Sequence, residues 1–145
     1  MRNLIYFLLV FSLKLHSSEV GQSSSRAVLE KCSQSEFGQS AVLDCVLNEA
    51  KQSTIVLGAT KLNAVNTLAN WDEDKKYIQA AKKALQISHR DFELYRKSFC
   101  DFRSSLAGGG AGNSHAIVTA ACIADLNISQ VEKLGAYMKN LSLKK

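Results

Sequence analysis

The sequence predicts an all-α protein, a small disulfide-stapled bundle of three to four helices after a cleaved signal peptide. Three observations predict this class. The 145 residues include no proline and are 46% hydrophobic and 21% charged, which suits one globular domain and favours helices over turn-rich β architectures. Long segments place apolar residues at steps of three and four, and no alternating β-branched run occurs. All four cysteines follow an apolar amino-terminal segment.

The first residues are typical of an export signal. Arg2 precedes an apolar run over residues 4–13, and the small residue Ser17 follows it. Because this run is too short for a permanent membrane anchor, we expect cleavage after Ser17 and a periplasmic or secreted protein with no stable membrane anchor. The predicted organisation is a signal peptide over residues 1–17, a flexible Ser-rich leader over 18–31 and a helical domain over 32–145.

Export determines how the cysteines are interpreted. An even number of cysteines in an oxidising compartment predicts two disulfides, formed by Cys32, Cys45, Cys100 and Cys122. A zinc or redox site would need a Cys-x-x-Cys pair, which the sequence lacks. Proximity along the chain favours the pairs Cys32–Cys45 and Cys100–Cys122, although four cysteines allow three connectivities.

Two long helices are predicted in the first two thirds of the domain. The first runs from about residue 40 to 70, and its expected inner face comprises Ile55, Gly58, Leu62, Val65 and Ala69. The second starts at Asp72-Glu73-Asp74, whose carboxylates suit the free N–H groups and the positive dipole of a helix start. It is expected to end near Leu106. Its inner stripe is predicted to comprise Tyr77, Ala81, Ala84, Leu85, Ser88, Phe92, Tyr95, Phe99 and Phe102.

A turn and two shorter helices are predicted after this. The run Gly108-Gly109-Gly110-Ala111-Gly112 indicates a flexible interhelical turn. A third helix is expected from residue 113 or 114 to about residue 125. A fourth is expected to start at Asn127 or Ser129, because Ser129-x-x-Glu132 fits a capping box.

The sequence offers no catalytic apparatus. His89 and His115 are the two histidines after the signal peptide, and neither has a second metal ligand at His-x-x-x-His spacing. There is no Gly-x-Ser-x-Gly elbow, and the glycine run lacks the Lys-Ser/Thr of a phosphate-binding loop. We therefore expect a protein that is not an enzyme and has no metal or other cofactor.

Charge also excludes one class of partner. The formal charge of the whole chain is +5, and removing residues 1–17 takes away Arg2 and Lys14 and no acidic residue, which leaves +3. Dense basic clusters with interleaved aromatic residues, which are typical of nucleic-acid binding, do not occur. We expect a protein partner and no nucleic acid.

One segment resembles a known family. Residues 85–100 are similar to the signature of the lysozyme-inhibitor LprI-like family of secreted bacterial proteins, an Ala-Gln-Arg-x-Trp-x-x-Tyr-Arg-x-x-x-Cys run followed by a Gly-rich stretch and a second cysteine. The matching residues are Arg90, Tyr95, Arg96, Cys100, Gly108, Gly109, Gly110 and Cys122, with Cys32 and Cys45 as the first cysteine pair and Leu62, Asn63 and Leu134 as further matches. The sequence departs from the family pattern at Phe92, His89, Asn66 and Gln130, which replace Trp, Gln, Tyr and Arg. The fold therefore transfers better than the activity.

The resemblance implies an inhibitor that occludes the active-site cleft of a lysozyme, an enzyme that relies on two carboxylates. The candidate partner contacts are the turn glycines Gly108, Gly109, Gly110 and Gly112, which would enter the cleft, together with Arg90, Tyr95 and Arg96. Two roles stay open for the arginines. They pair either with carboxylates of the partner or with Asp91, Glu93 or Asp101 within the bundle.

Two alternative functions also fit the sequence. The protein is then either an extracytoplasmic immunity or accessory binding protein with another target, or a structural or stress protein of the envelope. The net charge of +3 bears on this choice, because it opposes long-range attraction to a cationic, animal-type lysozyme.

Overall fold

The computed structural model describes residues 26–110 and 112–144. It contains four helices, α1 (Ala27–Ser35), α2 (Gln39–Ala69), α3 (Lys75–Ser105) and α4 (Ser114–Lys139). Within the described residues the only β pairing is one antiparallel bridge between Trp71 and Leu143, so the all-α prediction is confirmed. None of the four helices is both long and apolar enough to span a bilayer. The predicted signal peptide and the leader up to residue 25 lie outside the described residues.

The folded domain begins earlier than predicted. α1 starts at Ala27, so residues 27–31 are helical and the expectation of a flexible leader up to residue 31 is wrong for them. Val28 and Cys32 are buried. The backbone N–H of Val28 donates to Oδ1 of Asp125 in α4 at 3.0 Å, which satisfies one of the free donors at the start of α1. A carboxylate from far along the chain therefore holds this short helix in place.

The end of the chain forms one helix where two were predicted. α4 runs without interruption from Ser114 to Lys139, so the capping box at Ser129 does not start a helix. Asn127 has no exposed side chain to act as a cap, because it is fully buried inside the bundle. No glycine or proline interrupts residues 115–134, and the helix continues through the predicted break.

The core lies between α2 and α4, which pack along much of their length. Small side chains on α4 let the two backbones approach closely, and the main cluster comprises Val28, Cys32, Val46, Ile117, Ala120, Ala121 and Ala124. The predicted inner face of α2 is wrong, since Ile55 and Leu62 are 56% and 64% exposed. The residues of α2 that are buried are Val46, Ser53, Leu57, Ala64 and Leu68. Apolar residues surround α2, so their spacing alone does not identify the packed face.

The stripe predicted for α3 is also partly wrong. The bounds of α3 agree with the sequence prediction, but Tyr77, Tyr95 and Phe102 are each at least half exposed. Ile78 and Cys100 are the buried residues of this helix. The inward face is rotated relative to the predicted one because it includes polar side chains, which the apolar pattern counts as surface.

The turn between α2 and α3 is held by the carboxyl-terminal tail. The backbone N–H of Asp72 donates to the carbonyl of Ser142 at 2.9 Å, and that of Lys144 donates to the carbonyl of Asn70 at 2.9 Å. Asp74 is the N-cap of α3, as predicted, but its side chain makes no capping hydrogen bond. The acidic run therefore acts on the helix start through charge.

Two disulfides cross-link the bundle. Cys32 bonds to Cys45, which joins α1 to α2. Cys100 bonds to Cys122, which joins the end of α3 to α4. This is the pairing favoured by proximity along the sequence, and it places both bridges toward the end of the bundle that carries the α1–α2 and α3–α4 turns.

Candidate partner-binding site

The Gly-rich turn between α3 and α4 is exposed at one end of the bundle. Gly108, Gly109, Gly110 and Gly112 are all accessible to solvent. Gly108 and Gly112 have φ angles of 57° and 66°, a left-handed backbone conformation that strongly favours glycine. Glycine at these two positions therefore allows the chain to reverse between α3 and α4.

His115 closes this turn, a role that the sequence did not indicate. Its Nε2 lies 3.1 Å from the carbonyl oxygen of Gly108. A carbonyl only accepts, so Nε2 carries the proton. The hydroxyl of Ser104 lies 3.3 Å from both Nδ1 and the backbone carbonyl oxygen of His115, and either can accept its proton. The first residues of α4 and the last turn of α3 therefore hold the turn from both sides.

A second turn lies beside the first. Residues 36–38 connect α1 to α2, and Gln39 begins α2. A Cβ on Gly112 would lie 2.8 Å from Oε1 of Gln39, so the two turns approach closely. Phe37 is 97% exposed in this second turn. We call residues 36–39, 106–110 and 112–114 the turn end.

A shallow apolar groove of about 460 Å³ runs alongside the turn end, between α1, α2 and α4. It is lined by Leu29, Ser33, Glu36, Gly38, Gln39, Val42, Ser114, Ile117 and Val118. Glu36 is the only charged residue of this lining. The turn end and the groove together form a continuous, nearly uncharged surface.

The predicted contacts on α3 do not form a single site. Arg90 is exposed, and its guanidinium donates from Nε and Nη2 to Oδ1 of Asp91 at 3.1 and 2.9 Å. Tyr95 is 51% exposed, and its ring stacks on Phe99 with 5.4 Å between the centroids. Arg90 and Arg96 lie about 120° apart around the helix axis, because each residue turns the helix by about 100°.

Arg96 is directed into the bundle. Its Nη1 donates to Oδ1 of Asn127 in α4 at 2.6 Å, and its guanidinium lies 5.7 Å from the centroid of the Phe92 ring. The internal partner of Arg96 is therefore an amide, whereas the sequence analysis considered only the carboxylates of α3. Arg96 also lies about 15 Å from Leu106 along the helix, at about 1.5 Å per residue. The structure does not bring it together with the Gly-rich turn.

Asn127 connects three helices through fully matched hydrogen bonds. Its Nδ2 donates to Oγ of Ser53 at 3.1 Å and to Oγ1 of Thr54 at 3.0 Å. Both hydroxyls in turn donate to the carbonyl of Ala50, so they must accept from the amide. This arrangement fixes the orientation of the Asn127 amide. Because the amide oxygen and nitrogen both have hydrogen-bond partners, the side chain can be buried without leaving a polar group unpaired.

α2 and α3 enclose a different, electropositive groove of about 540 Å³. It is lined by Lys61, Lys83, Gln86, Ile87, His89, Arg90 and Glu93. Burial lowers the pKa of His89, and the charges of Lys61 and Arg96 lower it further, although Glu93 raises it. Glu93 Oε1 lies 3.3 Å from His89 Nε2. Because this groove is concave, it does not suit entry into a cleft of another protein.

No metal centre is indicated in residues 26–110 and 112–144, where no three His, Cys, Asp or Glu side chains lie close enough to hold an ion.

Comparison with protein families matches residues 30–134 to the lysozyme inhibitor LprI family. The chain belongs to this family. The match includes α2, α3, both disulfides and the turn end. Comparison with curated proteins and with solved structures gives no match.

Members of the LprI family are inhibitors and not enzymes, so the family indicates a binding role. The structure gives physical roles to several residues of its signature. Cys100 and Cys122 fasten the two helices that carry the turn, and Arg96 joins α3 to α4. Phe92, which replaces the tryptophan of the pattern, keeps an aromatic ring near the Arg96 guanidinium.

The sequence pattern does not identify Phe37, His115 or Asn127 as residues of the site or of its scaffold. Phe37 is a large aromatic residue next to a glycine and outside any helical stripe, which is a usable signal for an exposed anchor. For His115 and Asn127 the sequence gives no such signal, because their partners are distant in the chain.

Proposed function

We propose that the protein is exported and inhibits a lysozyme-type glycan hydrolase by inserting its turn end into the active-site cleft. Membership of the LprI family is the observation that carries the proposal. The family supplies the class of partner, and the turn end is the surface whose shape fits a cleft.

Three features of the turn end support it as the inserted element. Its glycines have no side chains to obstruct entry, and they are exposed. The Cys100–Cys122 bridge fastens the two helices that flank the turn, and the His115–Gly108 contact restrains it, which lowers the entropy lost on binding. The adjoining groove adds apolar surface that gains stability when a partner covers it.

The test uses Gly109, whose Cβ position is open and whose φ angle is not positive. Gly109→Arg should leave the fold intact and weaken inhibition of cell-wall lysis at least tenfold, because a long side chain would obstruct the cleft. Gly135→Arg is the matched control, since Gly135 is equally open but lies near the far end of α4. We expect it to inhibit like the unmodified protein.

A competition experiment tests occlusion itself. An oligosaccharide of N-acetylglucosamine that fills the enzyme's cleft should displace the protein from lysozyme in a binding assay. Binding that is unaffected by saturating oligosaccharide would place the contact outside the cleft. If Arg90→Glu abolished inhibition and Gly109→Arg left it unchanged, the contact surface would lie on α3 and not at the turn end.

A further inference from the structure

We propose that Phe37 is the aromatic anchor of the complex, packing against the walls of the partner's sugar-binding cleft beside the Gly-rich turn. This inference rests on the proposed function and assigns one anchoring side chain to it. Phe37 is not among the residues of the family signature.

Exposure is the first observation. Phe37 is 97% exposed, more than any other large hydrophobic side chain among the described residues. Burying a phenylalanine typically stabilises a protein by about 1.5–3 kcal/mol, and an apolar groove with Leu29 and Val42 lies next to it. Because the Phe37 ring is not buried within the bundle, its burial by a partner can still provide this stabilisation.

Position is the second observation. Phe37 is two residues from Gln39, so their Cα atoms lie within about 7 Å of each other. The side chain of Gln39 in turn reaches Gly112. A cleft that receives the Gly-rich turn must therefore also receive or border Phe37.

Charge is the third observation, and it resolves the conflict with a cationic partner. α3 alone carries eight Lys or Arg residues and three Asp or Glu residues. Residues 36–42 and 106–118 contain no Lys or Arg, and Glu36 is their single carboxylate. Apart from Arg103 in its last turn, the positive charge of α3 is thus located away from the turn end, and a cationic enzyme meets least repulsion there.

The chemistry of the cleft agrees with an uncharged aromatic anchor. A cleft for amino-sugar rings presents apolar and aromatic walls to the faces of the rings, with a few polar groups between them. A phenyl ring is flat and of similar size to a sugar ring, and aromatic stacking adds about 0.5–1.5 kcal/mol beyond burial. Phe37 therefore takes the place of one sugar unit.

The experiment measures inhibition and binding of lysozyme by Phe37→Ala, Phe37→Tyr and Tyr137→Ala. Phe37→Ala should weaken both about tenfold or more, as expected for an interface hot spot, with an unchanged melting temperature because the ring makes little contact with the bundle. Phe37→Tyr keeps the ring and should retain most of the activity. Tyr137, which is 73% exposed near the far end of α4, is the matched control and should tolerate alanine.

A photo-crosslinker gives an independent readout. Benzoylphenylalanine at position 37 should crosslink to a cleft peptide of lysozyme, and the same group at position 137 should not. Full inhibition by Phe37→Ala would overturn the inference and leave the proposed function standing. If the unmodified protein neither binds nor inhibits any lysozyme, the proposed function fails and this inference fails with it.

Discussion

Nη1 of Arg96 and Oδ1 of Asn127 are 2.6 Å apart, and this hydrogen bond links α3 to α4 in the middle of the bundle. The Asn127 amide continues the link to α2 through two hydroxyls. Since the amide is fully buried, every partner that it loses would leave a polar group without a hydrogen bond. We infer that this network fixes the relative register of the three long helices.

Asn127→Ala should lower the free energy of unfolding by about 2–3 kcal/mol, because it removes the amide acceptor of the Arg96 guanidinium and the amide donor to the hydroxyls of Ser53 and Thr54. Chemical denaturation measures the change, and Asn63→Ala, at an exposed position of α2, is the control. The double variant with Arg96→Ala should cost less than the sum of the two single changes. Strict additivity would show that the two residues do not interact.

Opening either disulfide should lower the melting temperature markedly. The bridges span 13 and 22 residues, and chain-entropy arguments give about 3 kcal/mol for loops of these lengths. Differential scanning calorimetry of the Cys32/Cys45 and Cys100/Cys122 serine pairs checks this. A melting curve that is the same with and without reductant would contradict the stapling role.

Asp125→Asn should change how stability depends on pH. Burial raises the pKa of Asp125 above its ordinary 3.8, against the lowering effects of the Val28 N–H and Arg103. From pH 3.8 up to the raised value, the folded state keeps a proton that the unfolded state has lost, so the stability of the unmodified protein falls as pH rises there. Asparagine keeps an acceptor for Val28 and cannot ionise. Urea titrations should therefore show that the Asp125→Asn variant becomes more stable relative to the unmodified protein as pH rises across this interval. A stability difference between the two proteins that does not change with pH would contradict this role of Asp125.

Salt should not slow formation of a complex with a cationic lysozyme. The net charge of +3 after removal of residues 1–17 gives long-range repulsion, which salt screens within about 10 Å at 0.1 M. Stopped-flow association rates should stay constant or rise between about 50 and 300 mM salt. A steep fall would indicate that the basic face of α3 makes the contact with an acidic surface.

The sequence predicts the bounds of α2 and α3 well, because a glycine, an acidic cap and a glycine run mark their ends. It misassigns the packed faces for a physical reason. Ser53, Arg96 and Asn127 are polar, so a pattern of apolar residues assigns them to the surface. Hydrogen bonds through the Asn127 amide nevertheless allow Ser53 and Asn127 to be buried and Arg96 to be half-buried.

The start of α1 and the unbroken α4 were missed for a related reason. The first depends on Asp125, 97 residues away in the chain. The second depends on burial of Asn127, which removes it as a cap. The exposed Gly-rich turn was identified from sequence because chain reversal there requires glycine locally. Phe37 has a local signal, its place beside a glycine and outside any helical stripe, and the structure adds its exposure.

Inhibition of lysozyme is measured by titrating the disulfide-bonded protein into a fixed amount of lysozyme and following the turbidity of bacterial cell walls. We expect lysis to stop at near one-to-one stoichiometry, with the lysozyme recovered intact in a complex. Lysis that proceeds at the full rate in excess protein, for lysozymes of several types, would show that the protein is not a lysozyme inhibitor.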